Sequence, residues 1–299
     1  MTRSKLRSAM VVGASGYVGR NLTPAIAAAG YRVLGTGLRN LDSIPRGRRI
    51  KTRELDVRDR SAVQALVEEV RPEILVDCTT VSDPAQLAAV IVDGSRNLAT
   101  ASASVGAIHI LLSTDNVFDG ASGWYAEEDP VCPANPYGRA KAAAEEIVMR
   151  LSTRPVIVRT SLVSGLDPLD PRSQWVANAL HQGTPVSLFT DELRCPIWID
   201  DLVASVVELL DGRHLGVLHV VGPERLSRYE IGALIAEWLD LPKEALVPSL
   251  ASRSSMARTL DGSMATGRAR SVLTTDPRGF ESRILALIEE RGGEEEESE

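Results

Sequence analysis

Cysteine, histidine, net positive charge and long apolar runs are all lacking or in short supply in this chain, and each shortage narrows what it can do. Its three cysteines, Cys78, Cys132 and Cys195, are too few and too scattered for a disulfide framework or a Cys-based metal site. The four histidines, His109, His181, His214 and His219, lack ligand spacing, so no metal is expected. No apolar run approaches the ~20 residues of a membrane span. The start, Met1-Thr2-Arg3-Ser4-Lys5, runs almost at once into a strand and has no signal-peptide core. A net charge of −7 gives no support for nucleic-acid binding, which wants a basic face. Part of that acidity is the run Glu294-Glu295-Glu296-Glu297, so residues 291–299 read as a solvated, disordered tail. The expectation is a cytoplasmic protein without membrane or nucleic-acid partners. At 299 residues it can bury a sizeable core.

What is present begins with a strand at residues 9–12 feeding Gly13-Ala14-Ser15-Gly16-Tyr17-Val18-Gly19. Glycines here permit a tight turn, close approach of backbone to a pyrophosphate and close helix packing. The helix that follows offers unpaired N–H groups and a positive dipole end to phosphates. It runs toward a C-cap at Gly30, with Pro24 as an oddity inside it. After the second strand, residues 31–36, no acid stands ready for a ribose hydroxyl until Asp42, whereas Arg39 could pair with a 2′-phosphate. NADP is therefore favoured, with NAD as the second option. Asp56 and Val57, after the third strand, fall where an adenine ring is held by an acceptor and an apolar contact. A helix is predicted over 60–70 and a fourth strand over 74–77, opening into the small residues Cys78, Thr79 and Thr80, beside which a dinucleotide can lie. Cys78 reads as a buried small residue rather than a reactive thiol. One helix is expected through 87–103.

The apolar run at 108–112 ends in Ser113-Thr114-Asp115-Asn116, at the carboxyl edge where open α/β sheets bind ligands. Downstream, Asn135 is a suitable N-cap and Pro136 suits the first helical position. That places Tyr137 and Lys141 four apart on one helix face. A phenol beside an ammonium suits proton donation, because the positive charge favours the phenolate. Thr114 can hold a substrate oxygen meanwhile. Alone, a tyrosine four residues before a lysine is weak evidence; following a glycine-rich turn and a Ser-Thr strand end, it describes a carbonyl reductase.

These segments resemble the extended short-chain dehydrogenase/reductases, and within them the dTDP-4-dehydrorhamnose reductases. The likeness is carried by residues 13–19, Leu55-Asp56-Val57, residues 113–120, 125–130 and 135–141, and Arg159-Thr160-Ser161, with a weaker trace through 196–202. It implies an α/β fold: a doubly wound, parallel Rossmann sheet over residues 1–160, helped by parts of 196–222, and a smaller α/β substrate-binding region over 161–290. It implies a catalytic set of Thr114, Tyr137 and Lys141, with Tyr137 protonating the C4 oxygen and Lys141 holding the nicotinamide ribose. The cofactor set adds Gly13, Ser15, Gly16, Tyr17, Val18, Gly19, Arg39, Asp56, Val57, Cys78, Thr79, Thr80 and Ser113. The substrate, a nucleotide-activated 4-keto-6-deoxysugar, would meet Thr114, Asp115, Asn116, Ser161, Leu162 and Arg194. Three departures bear on that sugar: Asn116 stands where the family usually has tyrosine, Leu162 where it often has tryptophan, and residues 191–196 match its Asp-Gln-x-Gly-x-Pro only in part. An epimerase or dehydratase, and a non-catalytic regulatory subunit like that of methionine adenosyltransferase, remain as alternatives. A homodimer is left open.

For the C-terminal half a strand is predicted over 155–159, a helix over 172–180 with Trp175 packed, and a helix from Asp200 as N-cap. A strand over 217–221 follows, then a capping box at Ser227-Arg228-Tyr229-Glu230 opening a helix. Residues 249–267 read as a surface loop.

Overall fold

The structure is a computed structural model that describes residues 7–297, with side chains to Arg291. Residues 1–5 and the end of the acidic run, both read above, lie wholly or partly outside the described residues. The strands in chain order are β1 (Ser8–Val12), β2 (Arg32–Gly37), β3 (Ile50–Glu54), β4 (Ile74–Asp77), β5 (Ile108–Thr114) and β6 (Arg154–Thr160). Shorter ones follow: β7 (Val163–Ser164), β8 (Val186–Phe189), β9 (Leu193–Arg194), β10 (Ile197–Trp198), β11 (Gly216–His219), β12 (Leu226–Ser227) and β13 (Leu246–Ser249). The helices are α1 (Tyr17–Ala28), α2 (Arg60–Val70), α3 (Gly94–Val105), α4 (Pro136–Leu151) and α5 (Pro171–His181). They continue with α6 (Ile199–Leu209), α7 (Arg228–Trp238), α8 (Gly267–Val272) and α9 (Phe280–Glu297).

Seven strands form one parallel sheet in the order β11-β6-β5-β4-β1-β2-β3. This is the doubly wound order, and the winding reverses between β1 and β4. Strand alternation explains how both faces are covered. Ala9 and Val11 join a cluster with Leu22 and Ile26 of α1 and Leu202 and Val206 of α6. Met10 and Val12 point the other way, into Val63, Leu66 and Val67 of α2 and Leu98 of α3. Register then lines up the carboxyl ends: Val12 pairs with Thr36 and Asp77, and Thr114 with Thr160. Everything that follows those residues is delivered to one edge.

The region after β6 is held by its own clusters and by three two-stranded ladders, β10-β7, β12-β9 and β13-β8. Trp198 stacks on Phe280 at 4.8 Å and donates to Gly279 O at 3.1 Å. The chain does not stay there, because α6 packs on α1 and β11 completes the main sheet beside β6.

Several expectations meet a different answer. The predicted helix over 87–103 is α3 preceded by a π-helical stretch, Ala88–Asp93, and the whole runs on to Val105. Pro24 lies well inside α1, while Gly30 follows the helix at φ +100°, a conformation glycine adopts without strain. Asp200 is within α6, whose cap position is Trp198, so its carboxylate sits in the first turn near the positive helix end. Trp175 is 55 % exposed rather than packed, because α5 turns its other face, Val176, Ala177 and Leu180, inward. Residues 249–267 are not a surface loop throughout. Thr259, Ser263 and Met264 are fully buried, and the segment bridges Tyr125 and Leu193. In α9 the backbone stays helical to Glu297, where a disordered tail was expected from residue 291; glutamate is a good helix former.

Candidate active site

The glycine-rich turn is as tight, and as closely packed on its helix, as its composition predicts. Gly13 has φ +75°, and a Cβ there would meet the Cys78 backbone at 3.0 Å, so only glycine lets β1 end this close to β4. A Cβ on Gly19 would strike the Gly13 carbonyl, which fixes α1 tightly under the turn. Gly16, between them, has only Gly13 O within 4 Å of such a position, leaving its outer side open for a phosphate to approach. Ser15 reaches toward Gly37 at the end of β2. Val18 packs inward against the core, whereas Tyr17 leans on Gly165, its phenol pushed up to about 12 by burial and by Asp170.

At the carboxyl ends of β2 and β3, Arg39 is exposed just past β2 and, among the described residues, makes no salt bridge. Arg46, by contrast, is paired with Asp42. Asp56 is pinned by Arg58 through contacts of 2.6–3.1 Å, which hold its carboxyl below the usual range; Val57 beside it is buried. Thr79 and Cys78 follow β4, Thr80 beyond them is exposed, and burial pushes the Cys78 thiol up, away from reactivity. The Thr79 hydroxyl is buried without a protein partner, a polar atom available to a ligand.

The segment after β5 and the start of α4 meet. Asn135 caps α4 by accepting from Gly138 N at 2.8 Å, and its side-chain amide donates to Asn116 Oδ1 at 2.8 Å. A Cβ on Gly138 would collide with Asn116 O, so the glycine is what lets the first turn of α4 lie against residues 114–116. Lys141 is buried, donating to Leu112 O and to Thr79 O at 2.9 Å each. An ammonium has three donors, so one is left. The half-buried Tyr137, one turn earlier, has no hydrogen-bond partner for its phenol among the described residues. Thr114, at 7 % exposure, donates to Asp115 Oδ1 at 3.0 Å and accepts from Asn116 N and Nδ2 at 3.2 Å. To donate to a substrate carbonyl its hydroxyl must rotate away from Asp115.

Two expected contacts are corrected. Ser113 turns its hydroxyl to Glu145, not toward the cofactor crevice, so only its backbone faces that edge. Arg194 is 3 % exposed with each of its three guanidinium nitrogens engaged: Nε with Asp115 at 3.2 Å, Nη2 with Glu192 at 3.2 Å and Nη1 with Leu193 O at 2.7 Å. It is a prop for Asp115 rather than a cation offered to substrate. Ser161 shares that task, donating to Asp115 at 2.6 Å, while Leu162 turns into the neighbouring C-terminal cluster.

The sequence reading missed one supporting unit. Glu145, eight residues after Tyr137 and so on nearly the same face of α4, forms a buried pair with Arg159 of β6 at 2.8 Å and accepts from Ser113 of β5. It ties α4 to both strands. Spacing from Lys141 was the available signal, but a glutamate in a helix reads first as surface.

A doubly wound sheet with a glycine turn at its switch point, and with Thr114, Tyr137 and Lys141 at its carboxyl edge, defines a dinucleotide-binding α/β protein. Residues 7–292 match the RmlD substrate binding domain model, and the chain belongs to that family. It is 35 % identical over 209 residues to a dTDP-4-dehydrorhamnose reductase of Streptomyces griseus, covering 67 % of this chain and 64 % of that one. It is 28 % identical over 257 residues to methionine adenosyltransferase 2 subunit beta of Pongo abelii, covering 81 % and 75 %. Among solved structures, dTDP-4-dehydrorhamnose reductase from Bacillus anthracis in complex with NADP superposes with a TM-score of 0.81 at 23 % identity, covering 96 % of this chain and all of that one.

Proposed function

We propose that this chain is an NADPH-dependent reductase of a nucleotide-activated 4-keto-6-deoxysugar. The arrangement of Tyr137 and Lys141 carries the reading. Lys141 is locked between two backbone carbonyls with a donor to spare, and the unpartnered phenol of Tyr137 lies one turn away. When bound, the nicotinamide supplies the hydride. Tyr137 delivers the proton to the reduced oxygen, Thr114 holds that oxygen, and Lys141 orients the ribose and favours the phenolate by its charge. The glycine turn and α1 receive the pyrophosphate, and Arg39 the 2′-phosphate. Asp115 argues against a dehydratase, since its carboxylate is committed to Arg194, Ser161 and Thr114 instead of being free as an acid/base group.

The test is NADPH oxidation, followed by loss of reduced-nicotinamide absorbance, across a panel of nucleotide-linked 4-keto-6-deoxysugars. Turnover is expected with at least one, and Tyr137→Phe should cut it by about 10²-fold or more while NADPH still binds, since general acid catalysis contributes on that scale. Full activity in that variant would sink the mechanism. Tight NADPH binding without any turnover would favour the second reading, a regulatory subunit, which the similarity to a methionine adenosyltransferase beta subunit supports.

A further inference from the structure

Between the start of α4 and Thr114, two side-chain amides form a chain of hydrogen bonds whose orientation has a single solution. The backbone N–H of Gly138 can only donate, so the Asn135 atom facing it at 2.8 Å is the acceptor, Oδ1. That turns Asn135 Nδ2 toward Asn116, whose facing atom at 2.8 Å is then its own acceptor, Oδ1. The Asn116 Nδ2 is left to point the other way, donating to Thr114 Oγ1 at 3.2 Å and to Asp115 Oδ1 at 2.8 Å. One backbone N–H in the first turn of α4 thus decides, through two amides, what Thr114 meets.

The effect on Thr114 follows from its valences. A hydroxyl has two acceptor lone pairs and one proton to donate. The backbone N and the Nδ2 of Asn116 fill both lone pairs, each at 3.2 Å. Only the proton is free to be redirected, and at rest it goes to Asp115 Oδ1 at 3.0 Å. Asp115 can give it up, because its Oδ1 keeps the bond from Asn116 Nδ2 and its Oδ2 keeps those from Ser161 and Arg194. Turning the Thr114 proton outward therefore leaves no buried acceptor unpaired, the outcome that would make the exchange costly. We propose that Asn116 and Asn135 are positioning residues that make Thr114 a dedicated hydrogen-bond donor toward a carbonyl oxygen. This role rests on the reductase reading and deepens it, since the oxygen that accepts from Thr114 is the one Tyr137 protonates. The cap of the helix that carries Tyr137 and the hydroxyl that holds the substrate oxygen are then set by one chain of bonds.

The decisive variant is Asn135→Asp. Near neutral pH its carboxylate still caps α4, since aspartate and asparagine serve about equally as N-caps, but it presents an acceptor where Nδ2 stood. The Asn116 amide must then turn its Nδ2 toward that carboxylate and away from Thr114. With the keto-sugar that the unaltered chain reduces, kcat is expected to fall at least about tenfold, somewhat less than the loss of a whole oxyanion donor, with KM and NADPH binding little changed. In a Thr114→Val background the same change should cost less than about twofold more, since it acts only through that hydroxyl. Unchanged kcat, or an equal loss in both backgrounds, would overturn the proposal. Proton exchange read by NMR needs no turnover. In the NADP-saturated chain the Asn116 side-chain amide protons, identified by their loss in Asn116→Asp, should exchange with water at least about tenfold more slowly than those of the exposed Asn178. Fast exchange there would overturn the proposal as well. A chain that reduces none of the keto-sugars but protects these protons would lose the reductase reading and keep the orientation of Thr114.

Discussion

Single side chains carry the distinction between cofactors and between structure and chemistry. Arg39 is exposed beyond β2 with no acid nearby on residues 36–38, so Arg39→Ala should weaken NADPH by roughly tenfold, one charged hydrogen bond, and NADH hardly at all. Comparing the two dissociation constants checks it; equal losses would undo the preference. Glu145 is a support rather than a reacting group. Glu145→Ala strands Arg159 inside the protein and should cost about 3–5 kcal/mol, while Glu145→Gln keeps hydrogen bonds and should cost less. Denaturant melts of the two variants measure the difference.

At the scale of elements, the meeting of α4 with the end of β5 depends on one missing methyl. Gly138→Ala would press Cβ into Asn116 O, so α4 must shift and carry Tyr137 with it. Activity should fall by tenfold or more with cofactor binding largely kept, since small misplacements are costly to catalysis; steady-state kinetics beside NADPH titration would show it. Elements whose rules are local were legible from sequence. Asn135 before Pro136 announced α4, the Ser227–Glu230 capping box announced α7, helical apolar spacing gave α2, and a short apolar run gave β4. What escaped depended on partners distant in the chain. Arg194 reads as a free cation until Asp115 and Glu192 are seen around it, and 259–264 reads as loop until Tyr125 and Leu193 are found beside it. The π-helical stretch before α3 has no signature in composition at all.

For the molecule as a whole, two buried histidines set the response to acid. Burial holds His109 down to about 4 and His219 to about 3, against an ordinary 6.5. The unfolded chain therefore takes up protons first, so stability is full above about pH 6.5 and declines as pH falls toward 4. His109 alone accounts for on the order of 3 kcal/mol by this linkage. Thermal melts between pH 7 and pH 4.5 should show the decline, and His109→Leu should flatten it.

The return of the chain to its main sheet has a consequence for how the protein is made. β6, with Val156, Ile157 and Val158 fully buried in the finished fold, waits for β11 to cover its open side. At ribosomal speeds of about 5–20 residues per second, the intervening stretch takes roughly 3–12 s to be synthesised. For that interval an apolar strand edge stands unpaired, the surface on which nascent chains stick to one another. Crowding on a polysome, rather than the stability of the finished molecule, would then decide the yield of soluble protein.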